Sequence, residues 1–163
     1  MPDQMTKAQY MEMLHTERAR WDALLDEVGE ARMTEPGVAG EWSVKDVIAH
    51  VTWGEREMVG VLRERALGGS ELWRLSEDER NAAVYEQNRD RLLDEVLRES
   101  REVYQQLLEL LEEVTDEDLN DNSRFRNMIP GVPLWQLLDG NTAHHYRAHA
   151  SGVRAWLDTQ AAL

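Results

Sequence analysis

"SVKDVIAHVTWGEREMVGVLRERALGG", residues 43–69, reads as one amphipathic helix with a marked start and a marked end. The Ser43 hydroxyl is placed to cap the first turn, and Asp46, three residues on, can return the bond. Gly68 and Gly69 end the pattern. Between these signals Val47, Val51, Met58 and Leu62 recur at helical spacing and define a stripe that must be covered by something else.

The same signals recur along the chain. "TKAQ" at Thr6 is a capping box opening a helix that runs to about Gly29, where "TEPGVAG" interrupts. "SEDE" from Ser76 opens another, whose period continues to about Thr115. After the loop "DNSRFRNMIPGVP", Pro133 suits the first turn of a last helix that holds its pattern to about Asp158. Helices are therefore predicted near 6–29, 43–68, 77–115 and 133–158, and no segment reads as strand. Four helices with one apolar side each predict an all-α four-helix bundle. The connection "GGSELWRL" carries Leu72, Trp73 and Leu75, which favours packing across the bundle and an up-down-down-up order with a long crossover. With no internal repeat or low-complexity tract, residues 1–163 are expected to form one domain.

The 163 residues are 42% hydrophobic and 31% charged, enough apolar material for a core without staples. The absence of cysteine excludes disulfides, thiolate zinc sites and a cysteine nucleophile. Thirty-two acidic against eighteen basic residues give a formal net charge of −14. That balance opposes binding through phosphate neutralisation, so neither nucleic acid nor an anionic membrane is an expected partner. "MPDQMTKAQY" lacks a basic stretch followed by an apolar run, and nowhere do eighteen apolar residues follow one another. A soluble cytoplasmic protein is expected.

Polar residues interrupt the predicted apolar faces. "NTAHHYRAHA", residues 141–150, gathers three of the five histidines. His145 and His149 share the arc of Leu134, Leu138, Gly152 and Trp156, whereas His144 lies about a quarter-turn away. His50 borders the stripe of the second helix in register with Gly54 and Val61, and Glu55 falls inside it. Glu17 interrupts the face formed by Tyr10, Met13, Leu14, Trp21, Leu24 and Val28, and Asn88 shares the arc of Tyr85 and Leu92. A single inward polar residue is usually a satisfied core group. Imidazoles from two helices with carboxylates from two are what a bundle supplies for a metal or catalytic centre.

"GEWSVKDVIAHVTWGE", residues 40–55, resembles the signature of the DinB/YfiT-like superfamily, in which a Trp-Ser/Thr-x-x-Asp helix start precedes the first metal-binding histidine. "NTAHHYRAH" is similar to the His-x-x-x-His of the family's last helix. The long stretches "NAAVYEQNRDRLLDEVLRESREVYQQLLELLEEVTDEDL" and "PLWQLLDGNTAHHYRAHASGVRAWL" resemble the ClbS/DfsB-like branch. The resemblance implies a four-helix bundle, often dimeric, with a divalent metal on His50, His145 and His149. It also implies small-molecule chemistry, since the superfamily includes thiol-dependent transferases and the branch a self-resistance hydrolase acting on an electrophilic genotoxin.

On this reading the three histidines bind one divalent ion, zinc or nickel by their nitrogen ligands, and leave positions open for water or substrate. Glu55 or Glu17 is expected to serve as general base or as acceptor from an imidazole N–H. Trp53, Trp135 and Tyr146 are candidates for the mouth, and His15 and His144 stand outside the ligand set. The reaction expected is hydrolysis of an electrophilic small molecule or attack on it by a low-molecular-weight thiol. Two other readings stay open: a metal-free bundle sequestering a hydrophobic ligand, with His145 and His149 bonded to Glu17 and Glu55, and a structural dimer whose buried polar groups set register.

Overall fold

The structure, a computed structural model, describes residues 4–161; the outermost residues of the expected 1–163 domain lie outside them. Helices α1 (Lys7–Val28), α2 (Val44–Glu64), α3 (Glu77–Asn88), α4 (Leu93–Glu112), α5 (Asp116–Asn120), α6 (Leu134–Asn141) and α7 (Ala143–Ala161) follow one another, with short 3₁₀ turns between some of them. Among the described residues there is no strand, only isolated bridges such as Ala66 to Arg126. The expectation of an all-α fold holds. No helix among them is long and apolar enough to cross a membrane.

The caps read from the sequence are in place. Thr6 with Gln9, Ser43 with Asp46, and Ser76 with Glu79 each form a reciprocal capping box. The helices pack so that α1 and α7 run in the same direction, since Tyr10 meets Thr142 at 2.7 Å while Glu27 pairs with Arg154 further along both. By the same test α2 and α4 are parallel: Lys45 reaches the Arg91 carbonyl at 2.8 Å just before α4, and Arg56 pairs with Glu99 within it. The core between them is filled by side chains such as Leu14, Trp21, Ile48, Leu107, Leu111, Leu134 and Leu138. Burying each aliphatic one is worth about 1.5–3 kcal/mol.

Two predicted helices are broken. The one expected over 77–115 ends at Asn88 and restarts at Leu93, and the one expected over 133–158 is interrupted at Thr142, whose φ of −131° and ψ of −102° leave the helical region. At the first break the Lys45 ammonium donates to the carbonyls of Arg89 and Arg91 at 2.7 and 2.8 Å, supplying partners that continued helix would have provided. Asn88 is half-buried and turns its amide onto the Val84 carbonyl, Tyr85 stacks on Trp42, and Leu92, beyond the break, is 67% exposed, so the three do not share one arc. At the second break Thr142 is held by the Leu138 carbonyl and Tyr10. The phase change leaves Gly152 exposed and puts Val153 on the inner face.

Helix α2 ends at Glu64, capped by Arg65 in the left-handed region (φ 52°), four residues before the glycines expected to end it. Gly69 has another function. Its φ is +99°, which a residue with a Cβ adopts only under strain, and a Cβ there would lie 2.8 Å from a Glu57 oxygen and displace that carboxylate. Helix α5 falls in the expected loop, started by a capping box of Thr115 and Asp118.

Candidate metal centre

His50 lies on α2, and His145 and His149 lie one turn apart on α7. The two helices run antiparallel here: Gly54 packs beside Asn141 and His145, and His50 beside His149. A Cβ on Gly54 would sit 3.3 Å from Asn141 Oδ1 and 3.4 Å from His145 Nδ1, so the two helices approach closely at this point. The rings meet edge to face, with centroids 4.6–4.9 Å apart. The Nε2 atom of His145 is 3.1 Å from that of His50 and 3.0 Å from that of His149.

This geometry suits one ion. Two nitrogens each about 2.0–2.1 Å from a common metal lie about 2.9 Å apart at a right angle and about 3.4 Å apart at the tetrahedral angle. The observed separations fall inside that interval. Among the described residues these three side chains are the group of His, Asp or Glu close enough to hold a metal, with ligand atoms within 4.8 Å of one another. Burial pushes His50 down to about 4, helped by His149 and Arg80, and pushes His145 down to about 3, helped by the other histidines. His149 is lowered by burial as well. The rings are therefore neutral at pH 7, as ligands must be. Nδ1 of His50 and of His145 is buried without a hydrogen-bond partner, so no carboxylate stands behind either ring.

The histidines open into a cleft of about 440 Å³, lined also by Trp53, Trp73, Glu77, Arg80, Asn141 and His144. Of the aromatic residues expected at its mouth, Trp53 takes part. Trp135 and Tyr146 are instead interior residues, 1% exposed each. The contribution of α3 was not foreseen: Glu77 and Arg80 belong to a helix start, and only the packing of α3 onto α2 brings them here.

Glu55 and Glu17 are both buried, at 0% and 9% exposure, but neither lines the cleft. Arg18, itself 5% exposed, donates to Glu55 at 3.2 Å, to the Ser100 hydroxyl at 3.0 Å and to Asp22 at 3.1 Å. Burial pushes Glu55 up to about 7 against the pull of Arg18 and a hydrogen bond from Tyr146. The same ion pair keeps Arg18 charged despite its burial. Glu17 pairs with Arg20 at 3.0 Å and with Arg147 at 3.6 Å. The two carboxylates thus tie α1, α2 and α7 together through arginines.

The sequence profile of the DinB superfamily matches residues 13–150, and the chain belongs to that superfamily. At the level of sequence no curated protein matches it. Solved structures of similar fold include the sibling lethal factor precursor DfsB, with a TM-score of 0.77 at 17% identity over 96% of this chain and 97% of that one. Another is the colibactin self-resistance protein ClbS in complex with a double-stranded DNA, with a TM-score of 0.75 at 16% identity over 94% and 96%. An uncharacterised protein from Escherichia coli UTI89 has a TM-score of 0.75 at 15% identity, over 95% and 94%. The ClbS complex corrects the expectation that nucleic acid is excluded. Net charge sums a surface without locating its charges, and a bundle of this fold can sit on a duplex.

Proposed function

We propose that His50, His145 and His149 hold one divalent cation, zinc or nickel, and that the protein uses it on an electrophilic small molecule entering the adjoining cleft. The reaction is either hydrolysis or transfer of a low-molecular-weight thiol. The observation that carries this reading is the convergence of three neutral imidazoles on one point beside an open cleft.

A cation there would supply Lewis acidity and a lowered pKa for water or thiol. The side chains supply the rest. His145 packs beside Gly54 and Asn141, and the Trp42 ring packs tilted against that of His50 at 5.5 Å. In hydrolysis the carbon–leaving-group bond breaks as a carbon–oxygen bond to water forms, and the water proton passes to the leaving atom. In thiol transfer sulfur takes the place of oxygen. Glu77, the carboxylate lining the cleft, is the group placed to relay that proton. Glu55 and Glu17 act through their arginines as positioning groups.

The metal-free sequestering reading required carboxylate partners for the histidines. Those carboxylates are held by Arg18, Arg20 and Arg147, which favours the metal reading. Cobalt(II) titrated into chelator-treated, tag-free protein should give a visible spectrum saturating at about one equivalent. The loaded protein should then convert styrene oxide to a diol, or to a thioether when a thiol is supplied; duplex DNA belongs in the same assay because of the ClbS complex. No cobalt spectrum, or turnover independent of metal, would contradict the reading.

A further inference from the structure

A second cavity, of about 600 Å³, adjoins the histidine cleft and has a different character. Met58, Leu67, Ile129 and Leu137 line it, and it shares Trp73 and Asn141 with the cleft. Its size is that of a pocket for a drug-sized ligand, and Ser70, Glu71, Arg74 and Asn127 complete a lining whose exposed surface is mainly apolar. Ile129, 49% exposed, stands among its lining residues.

The shared wall is held in place. One Glu57 oxygen accepts both the Ser70 backbone N–H at 2.8 Å and the Trp73 indole N–H at 2.9 Å. Gly69 lets this strap approach Glu57. Trp73 is further fixed by the Trp53 ring, 5.0 Å away, and by the Arg80 guanidinium 4.8 Å over its face. Asn141 is the other shared residue, and its amide donates back to the Leu137 carbonyl at 3.0 Å. A rigid partition joined at both compartments by the same two side chains would orient one ligand across them.

We infer that the substrate is bipartite: an uncharged, largely apolar body about the size of a fused bicyclic ring system occupies this second compartment, and its reactive end passes Trp73 and Asn141 to reach the histidines. The inference rests on the histidine cleft being the reacting end. Glu71 and Arg74, the charged residues of the lining, pair with each other at 2.8 Å, so neither is left to compensate an ion, which would have to shed its water against Met58, Leu67, Ile129 and Leu137.

The test uses prodan, a neutral naphthalene fluorophore, titrated into the full chain, with metal content measured separately. Leu137→Trp fills the compartment, and Ile129→Asp places a charge at an exposed lining position where folding is little affected. Both should weaken prodan binding by about tenfold or more, while His145→Ala leaves it within about twofold and removes the cation. If Leu137→Trp fails to fold, Ile129→Asp decides alone. Binding unchanged in the folded variants, or no prodan binding by the wild type, would overturn the inference. A wild type that binds prodan but takes up no cation would instead count against the metal reading alone.

Discussion

Gly54 and His145 are matched across the α2–α7 contact: the absent Cβ of the one leaves 3.4 Å to Nδ1 of the other. A methyl there would touch the imidazole at ordinary contact distance and crowd Asn141 Oδ1 at 3.3 Å, whereas a branched side chain would press further into both. Gly54→Val should therefore push His145 and Asn141 off α2 and weaken cation binding by about tenfold or more, the scale of outer-shell changes at metal sites. Calorimetric titration with zinc on a variant shown to be helical by circular dichroism checks this; affinity equal to wild type would refute the packing argument.

The buried Arg18–Glu55 pair makes a second prediction. Removing Glu55 leaves the Arg18 guanidinium charged and unpaired in the core, so Glu55→Met should destabilise the fold by about 3–5 kcal/mol, and Arg18→Met with Glu55→Met together by less. Urea unfolding of the two variants measures the difference. A double variant less stable than the single would show that the pair is not coupled in this way.

The pH dependence of stability separates Glu55 from the histidines. Glu55 ionises at 4.5 when unfolded and at about 7 in the fold, so its stabilising contribution is full below 4.5 and lost as pH rises through 7. His50 and His145, lowered from 6.5 to about 4 and about 3, contribute stability that is present above 6.5 and lost as pH falls through their folded values. With the carboxyl gone, cation-free Glu55→Gln should gain stability on the wild type across pH 4.5 to 7, by about 3 kcal/mol in all. Parallel stability curves in a urea series would contradict this.

Gly69 predicts a local cost. Alanine there takes a strained φ of +99° and a contact of 2.8 Å with Glu57, so Gly69→Ala should lose about 1–3 kcal/mol and expose the 66–75 segment to hydrogen exchange. Exchange in that segment unchanged from wild type would show that Glu57 does not hold the strap.

What the sequence made legible was the local physics. Ser43 with Asp46, Thr6 with Gln9 and Ser76 with Glu79 are short-range bonds between residues three apart, and all three appear where the residue types place them. The break at Asn88 was not legible because no proline or glycine marks it, and Gly140, two residues before the break at Thr142, lies within helical backbone and does not by itself end the helix. Both breaks depend on Lys45 and Tyr10, distant residues that supply hydrogen-bond partners to the interrupted backbone or to the side chain at the break. The same divide runs through the site. His145 and His149 are paired by helical spacing alone, whereas Glu77 and Arg80 enter the cleft through the packing of α3, and the arginine partners of Glu55 and Glu17 come from neighbouring turns and helices whose phase a single wheel does not relate.

The central claim is that His50, His145 and His149 hold one cation together, and metal content per chain tests it most directly. Tag-free wild type and the five single His→Ala variants are purified alike and analysed by mass spectrometry of the elements. The account predicts about one zinc or nickel per chain in the wild type and in His15→Ala and His144→Ala, with loss in His50→Ala, His145→Ala and His149→Ala. Retention of metal by any of those three, or its loss in His144→Ala, would contradict it.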